Sequence, residues 1–335
     1  MVSYATILGA TLPVFLVMAA GFGLRRLGRL PAAGDATIIS LMVNVTYPCY
    51  ILNAVVVSPA LREAGNVIPP VLCGAFFVLA GLLAGWVVAP WCGLGRGSGR
   101  RTFALVTSVQ NYGYLPIPLM EAIFPDSAWK GVVFVYTLGL ELALWSAGVM
   151  MLSGNWRQGL RQVLNPVVGS IILGVGLNFL RLDAYYPAWL FRFLSMLGAC
   201  AFPLGILLSG ATLSDLLRLP GALADWRTPV GAIALRLALL PALMLAVAHW
   251  MPLTTTLREV IAVQAAMPAA VFPIIMARRY GGHEPTAVRV LVFTTAASRA
   301  NETAARPMAR PTQMPSACHW SGKAAIQAKG RASTQ

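Results

Sequence analysis

Charged residues are scarce in this chain. They make up only 11% of its 335 residues, whereas hydrophobic residues make up 58%. A soluble globular domain carries about 25% charged residues, so this scarcity excludes a soluble protein and indicates an integral membrane protein. Apolar runs recur throughout residues 1–290 and leave no stretch long enough for a separate soluble domain.

Residues that carry enzyme or metal chemistry are also few. The three histidines form no pair, and the five cysteines have no metal-ligand spacing. The chain contains no G-x-S-x-G, H-E-x-x-H or P-loop motif. We therefore expect no enzyme activity, no metal and no cofactor. The net charge of +14 lies mostly in short loops, where it sets membrane orientation, so we do not expect nucleic acid as a partner.

What the chain does have is a series of apolar runs of about 20 residues, the length of a membrane-spanning helix. Nine runs are complete, and a tenth begins near Thr286 and ends after about Ser298. The nine predicted spans are residues 5–24, 36–57, 67–91, 102–124, 130–152, 165–180, 188–213, 228–250 and 257–277.

Basic residues alternate between the loops that these spans create. One set of alternate loops holds thirteen arginines, from Arg25 to Arg289, whereas the intervening loops hold four basic residues. Cytoplasmic loops carry an excess of Lys and Arg, so the first set is predicted to be cytoplasmic and the N-terminus outside.

Proline and glycine positions repeat between the two halves of the chain. Three pairs recur at offsets between 153 and 157 residues: Pro13 with Pro166, Pro48 with Pro203, and Pro116 with Pro273. Five spans per half is an odd number, so the two repeats are predicted to have opposite orientations, as in many secondary transporters. The predicted parts are a first repeat (1–152), a second repeat (165–298) and a disordered basic tail (299–335).

Two spans are interrupted by proline near their middles, at 111–119 and 268–273. A break at mid-depth leaves backbone groups that protein or a water-filled cavity must satisfy, and such pairs point to a transporter binding site. A kinked structural helix is the alternative. The candidate substrate-binding residues of these two spans are Gln110, Asn111, Tyr112, Gly113, Pro116, Pro118, Gln264, Pro268 and Pro273.

The start of a half-helix near Pro268 is expected to present free N–H groups to an anion. Polar selection is expected to rest mainly on the first half, because the ninth span offers chiefly prolines and small apolar residues. In the second span, Asn44 beside the kinking Pro48 either lines the cavity or bonds a neighbouring helix.

Two charged residues lie inside predicted spans, where such residues usually face the interior. Glu141 is a candidate proton or cation carrier, and Arg236 is a candidate anion contact. The alternative is that they pair with each other or with the backbone.

These motifs resemble the auxin efflux carrier family, which includes bacterial permeases for malonate and other organic anions. The family pattern N-x-G-x-x-G-I-P-L is matched at Asn111, Gly113, Ile117, Pro118 and Leu119, and Pro116 replaces the usual glycine. Residues 265–271 and 277–282 are similar to the ninth-span motif, but Phe272 and Pro273 stand where the family often has Asn.

The resemblance implies an all-α fold of ten helices, with crossing broken helices four and nine as the site. It also implies a secondary carrier of small organic anions in a bacterial cytoplasmic membrane. Coupling to protons or to sodium stays open, and so does assembly into a homodimer. The expected partners are the small organic anion and the lipid bilayer. The Arg- and Pro-rich segment after Ser298 differs from the apolar tenth helix that the family would have here, and it resembles the product of a shifted reading frame or a recombined end.

The sequence thus favours a permease for a dicarboxylate or an auxin-like carboxylate that works by alternating access. A receptor or sensor that binds without transport, or a channel, would use the same pocket.

Overall fold

Helices follow one another in the order of the predicted spans. The computed structural model describes residues 4–301, apart from residues 96, 126–127, 156, 158–164 and 219–224. Within these residues the helices are α1 (Tyr4–Arg26), α2 (Asp35–Leu41, Met42–Thr46 and Tyr47–Val56), α3 (Ile68–Val88), α4 (Ser98–Ser108), α5 (Pro116–Ile123), α6 (Trp129–Ser153), α7 (Pro166–Phe179), α8 (Ala188–Ala199 and Ala201–Leu216), α9 (Arg227–Trp250), α10 (Thr255–Ala265), α11 (Phe272–Arg279) and α12 (Glu284–Asn301). The predicted basic tail lies, beyond Asn301, outside the described residues.

Among the described residues, five segments are long and apolar enough to cross a membrane by length and composition. They are Ala32–Val56, Ala64–Cys92, Trp129–Ser153, Ala188–Asp215 and Arg227–Trp250. They coincide with the second, third, fifth, seventh and eighth predicted spans, as expected for a helical multi-pass membrane protein.

Three of the long helices contain a wide π turn. These turns are Met42–Thr46 in α2, Leu144–Gly148 in α6 and Ala234–Leu239 in α9. Turns of this kind are rare and often occur at functional sites. In α2 the turn directly precedes Pro48, whose missing N–H interrupts the regular hydrogen-bond ladder.

The helices pack into two groups. In the first group α1 packs along α8, and α2 packs against α7 and α8. The second group contains α3–α6 and α9–α12; in it α3 packs along α6 and α4, while α9 packs against α10 and α12. The groups meet where α1 contacts α5 and where α2 and α7 contact α6.

Glycines allow close helix packing within each group. A Cβ at Gly210 of α8 would lie 1.9 Å from the carbonyl oxygen of Met18 in α1, and one at Gly139 of α6 would lie 1.8 Å from that of Val71 in α3. Small residues allow backbones to approach where lipid gives no hydrophobic drive for association. Larger side chains at these positions would separate the helices.

Ion pairs join helices of the same group at their ends. In the first group Arg25 pairs with Asp35 at 2.6 Å and with Asp215 at 3.2 Å. In the second group Arg289 of α12 lies 3.6 Å from Asp225, which precedes α9. Partial burial opposes ionisation of Asp225, but hydrogen bonds from Thr228 and Arg227 and the charge of Arg289 outweigh it and lower the pKa of this carboxyl.

Candidate functional site

Two non-helical interruptions pair with each other inside the second group. The first, residues 109–115, separates α4 from α5, and the second, residues 266–271, separates α10 from α11. They form one antiparallel bridge, at Gln110 and Ala269. The Asn111 N–H donates to the Pro268 carbonyl at 2.7 Å, and the Ala270 N–H donates to the Val109 carbonyl at 3.0 Å. Each break therefore satisfies backbone groups of the other, as buried backbone requires. We call this pairing the crossover.

The prolines lie mainly at helix starts rather than inside the breaks. Pro116 opens α5 and Pro118 follows in its first turn, while Pro273 is the second residue of α11. Proline suits a first helical turn because the N–H groups there have no intrahelical partner. The sequence interpretation placed the start of the ninth half-helix near Pro268, and this is wrong. The helix starts at Phe272, and Pro268 is extended against Asn111.

One end of the Asn111 side-chain amide is hydrogen-bonded within the protein, and the other end is not. Its Oδ1 accepts a hydrogen bond from the Tyr114 N–H at 3.1 Å, which fixes the turn that leads into α5. Its side chain is 8% exposed, and its Nδ2 has no acceptor among the described residues. An amide donor thus remains at the crossover.

Gln110 and Gln264 occupy equivalent places in the two broken spans, and both are fully buried. The Gln110 Nε2 donates to the Tyr136 hydroxyl at 2.8 Å, and the Gln264 Nε2 donates to the Tyr112 carbonyl at 3.2 Å. Both Oε1 atoms lack a donor within the described part of the chain. A buried acceptor without a partner costs free energy, so these two oxygens are suited to an incoming hydrogen-bond donor.

Glu141 of α6 contacts the crossover directly. Its Oε1 accepts from the Tyr112 hydroxyl and its Oε2 from the Trp145 Nε1, both at 2.7 Å. The carboxyl group is buried. A protonatable group is thereby hydrogen-bonded to the first interruption.

Arg236 lies in the π turn of α9 and is 1% exposed. Its Nε donates to the Met267 carbonyl at 3.1 Å, and its Nη2 donates to the Gln264 carbonyl at 3.4 Å. Of the alternatives for the two intramembrane charges, the structure shows backbone pairing for Arg236 and side-chain partners for Glu141.

Open space borders the first interruption at Gly113. A Cβ added there would meet no atom within 4 Å. Next to it, Tyr114 reaches the first helix group: its ring lies 6.5 Å from Tyr47 and 6.3 Å from Phe202 between centroids. A Cβ at Gly205 of α8 would lie 2.4 Å from the Tyr114 hydroxyl oxygen. The crossover therefore lies at the boundary between the two groups.

The two candidates from the second span have different surroundings. Asn44 is exposed, donates to Ser40 O at 2.8 Å within its own helix, and borders an open depression of about 540 Å³. Pro48 is half-buried beside Tyr47, which does contact Tyr114. The hydrogen bonds that Asn44 makes to Ser40 thus do not join it to the crossover.

Several polar partners of the crossover are additional to the sequence candidates. Thr294 of α12 accepts from the Ala269 N–H at 3.3 Å, and Ser298 donates to the Ala266 carbonyl at 3.3 Å. The spacing of these two hydroxyls places them on one helix face, which is the signal that could have identified them. Tyr136 has no such signal, because a tyrosine in an apolar helix is usually part of the core.

Comparison with known protein families gives one match over most of the chain. A family profile described as membrane transport protein matches residues 6–159 and again residues 150–300. Two matched segments of similar length are consistent with an internal repeat. No curated protein matches the chain.

Proposed function

We propose that this chain, which belongs to the membrane transport protein (auxin efflux carrier) family, is a secondary transporter of a small organic anion. We further propose alternating access at the crossover, two inverted repeats (1–152 and 165–298), and a bacterial cytoplasmic membrane with the N-terminus outside. The family consists of transporters rather than enzymes, which supports the absence of an enzyme activity.

The pairing of the two interruptions is the observation that carries the proposal. It brings the starts of α5 and α11 and the ends of α4 and α10 to one place inside the protein. Helix starts present N–H groups and a positive dipole end, whereas helix ends present carbonyls. Discontinuous helices that meet in this way form the substrate sites of many secondary transporters.

The polar groups at the crossover fit a carboxylate that also carries a hydroxyl or N–H group. The positive dipole ends at the starts of α5 and α11 would attract a carboxylate, and the free Asn111 Nδ2 can donate to it. The unpaired Oε1 atoms of Gln110 and Gln264 can accept from a hydroxyl or N–H of the same molecule. The open space at Gly113 is the place where such a molecule would approach the backbone.

The two helix groups supply the moving parts. The crossover belongs to the second group, and Tyr114 contacts the first group through Tyr47, Phe202 and Gly205. The ion pairs of Arg25 and Arg289 lie within single groups. A rocking movement between the groups would preserve these ion pairs while it changes the side from which the crossover is reached.

Glu141 is the group that we assign to proton coupling. The Tyr112 hydroxyl links its carboxyl to the backbone segment that would hold the substrate. Protonation would change the partner that Tyr112 faces, from a carboxylate acceptor to a carboxylic acid that can donate.

The test is uptake of labelled dicarboxylates and aryl carboxylates into proteoliposomes with imposed proton or sodium gradients. Gradient-driven accumulation would establish a carrier. Saturable binding without flux would indicate a sensor. Flux that does not saturate and runs only down the substrate's own electrochemical gradient would indicate a channel.

The matched variants are Asn111→Ser and Asn53→Ser. Serine at 111 keeps a short acceptor for the Tyr114 N–H but removes the Nδ2 donor, so we expect flux to fall about tenfold or more, the value of one hydrogen bond to a charged group. The Asn53 Nδ2 donates to Phe191 O of α8 at 3.5 Å, away from the crossover, and its variant should transport normally. Equal flux in both variants would contradict the assigned role of Asn111.

A further inference from the structure

Arg236 is a buried positive charge whose hydrogen-bond acceptors are backbone carbonyls. Its guanidinium is buried in α9, and its recorded partners are the carbonyl oxygens of Gln264 and Met267 and the Met244 sulfur, 4.0 Å from Nη2. A buried charge is costly unless its donors are hydrogen-bonded. Here carbonyl groups, rather than a carboxylate, provide the compensation.

The sequence explains why these carbonyls can accept from a side chain. In a continuous helix the Gln264 carbonyl would accept from residue 268, but Pro268 has no N–H; it accepts instead from the Met267 N–H at 3.2 Å and, on its other side, from Arg236. The Met267 carbonyl lies beyond the end of α10, where the helix has stopped. The carbonyl end of a helix also carries about half a negative charge. Arg236 therefore provides the donor for the Met267 carbonyl, adds a second donor to the Gln264 carbonyl, and places its charge at the negative end of the dipole.

Carbonyl groups at such a half-helix end form a site for a small cation. We propose that the crossover contains an intrinsic site for a monovalent cation, that the Arg236 side chain fills this site permanently, and that removal of the side chain opens it to a free cation. This property concerns the folded protein, so it can be tested without substrate and does not depend on transport.

The test uses the purified full chain in detergent and measures its thermal unfolding. Arg236→Ala should lower the unfolding midpoint by several degrees, because the buried Met267 carbonyl loses its donor and the Gln264 carbonyl loses one of two. Millimolar methylguanidinium should restore part of the loss in a saturable way, since a ligand that binds only the folded state stabilises it. These concentrations are far below those that unfold proteins. Sodium chloride and potassium chloride are tested in parallel, with choline chloride for ionic strength.

Arg258→Ala is the matched control. Arg258 also donates to a backbone carbonyl, that of Met251 at 3.2 Å, but this bond is exposed to solvent. Neither this variant nor the wild type should gain stability from any of the cations. Rescue confined to Arg236→Ala supports the site. An unchanged midpoint in Arg236→Ala, or a loss that none of the cations restores, would overturn it.

A second pair of variants decides the question if Arg236→Ala does not fold. Arg236→Lys keeps a charge of similar reach, and Arg236→Met keeps the length without the charge. A cation site predicts that Lys is the more stable variant. If the arginine only fills space, Met should be the more stable, because it buries no charge, and that order would refute the proposal.

Discussion

Gly113→Ala separates substrate binding from folding at the crossover. A methyl group at this position meets no atom within 4 Å, and Gly113 is not among the glycines with a positive φ. The fold should accept alanine with a stability change within about 0.5 kcal/mol, as for a substitution that disturbs no packing. If the adjacent space holds substrate, the methyl group occupies part of it. One misplaced methyl or methylene in a binding pocket costs about 1–3 kcal/mol, or roughly 10–200-fold.

The assay combines two measurements on the same preparation. Thermal unfolding in detergent reports the fold, and concentration-dependent uptake in proteoliposomes reports the KM and the maximal rate. Gly139→Ala is the reverse control, because its methyl would lie 1.8 Å from the Val71 carbonyl oxygen in the α3–α6 contact. We expect Gly113→Ala to keep its stability and lose uptake, and Gly139→Ala to lose stability.

Two results would refute the reasoning. Normal KM and rate in Gly113→Ala would show that the open space does not receive substrate. A large drop in its unfolding midpoint would show that the space closes in the populated state, so that the loss of uptake would no longer report on binding.

Two further predictions concern ionisable groups. Glu141→Gln should abolish accumulation driven by an imposed proton gradient but retain substrate counterflow, which needs no net proton movement; accumulation at the wild-type level in this variant would remove Glu141 from coupling. The pKa of Asp225 is held below its ordinary value of 3.8 in the folded protein, so its stabilisation is present at neutral pH and is lost as the pH falls through the folded-state value. Asp225→Asn should therefore lower stability at pH 7 by about 0.5 kcal/mol, the scale of an exposed ion pair at a helix start, and the difference from the wild type should shrink near pH 3; an equal difference at both pH values would contradict this.

Hydropathy and proline positions sufficed to predict the order of helices and both breaks. The length of a span is set by the thickness of the bilayer, so each span can be recognised from a continuous apolar stretch of the sequence. The boundaries of the breaks were less predictable. The sequence predicted breaks at 111–119 and 268–273, but the structure places Pro116 and Pro273 in the first turn of the helix that follows each break. A proline removes a donor that a first turn does not use, and so it marks the end of a break as readily as its middle.

The partners of the crossover were predictable only where they belong to the broken spans. Gln110, Asn111 and Tyr112 were identified because a polar side chain inside an apolar helix needs a hydrogen-bond partner or a ligand. Tyr136 and Trp145 complete the contacts of Gln110 and Glu141, but an aromatic residue in an apolar helix carries no such demand. Which helix packs beside the break is a property of the tertiary fold, and no local pattern encodes it.

The expectation that polar selection rests mainly on the first half considered only the side chains of the breaks themselves, and it stays a prediction. The second interruption has few polar residues, yet its backbone bonds to side chains of α9 and α12. Arg236 donates to the Met267 carbonyl just beyond the end of α10. Thr294 accepts from the Ala269 N–H, and Ser298 donates to the Ala266 carbonyl. The polar groups that a small apolar segment lacks are thus supplied by its neighbours, because buried backbone must be paired whichever residue provides the partner.

This arrangement gives α12 a direct part in the site. Thr294 and Ser298 lie one helical turn apart on the face toward the second interruption, and Ser298 is the last residue before the predicted basic tail. A changed sequence after Ser298 would leave both hydroxyls in place, whereas a change that begins before Thr294 would leave the Ala269 N–H unpaired inside the protein. An unpaired buried N–H costs about 1–3 kcal/mol. Loss of the Thr294 hydroxyl should therefore weaken the crossover by about this amount.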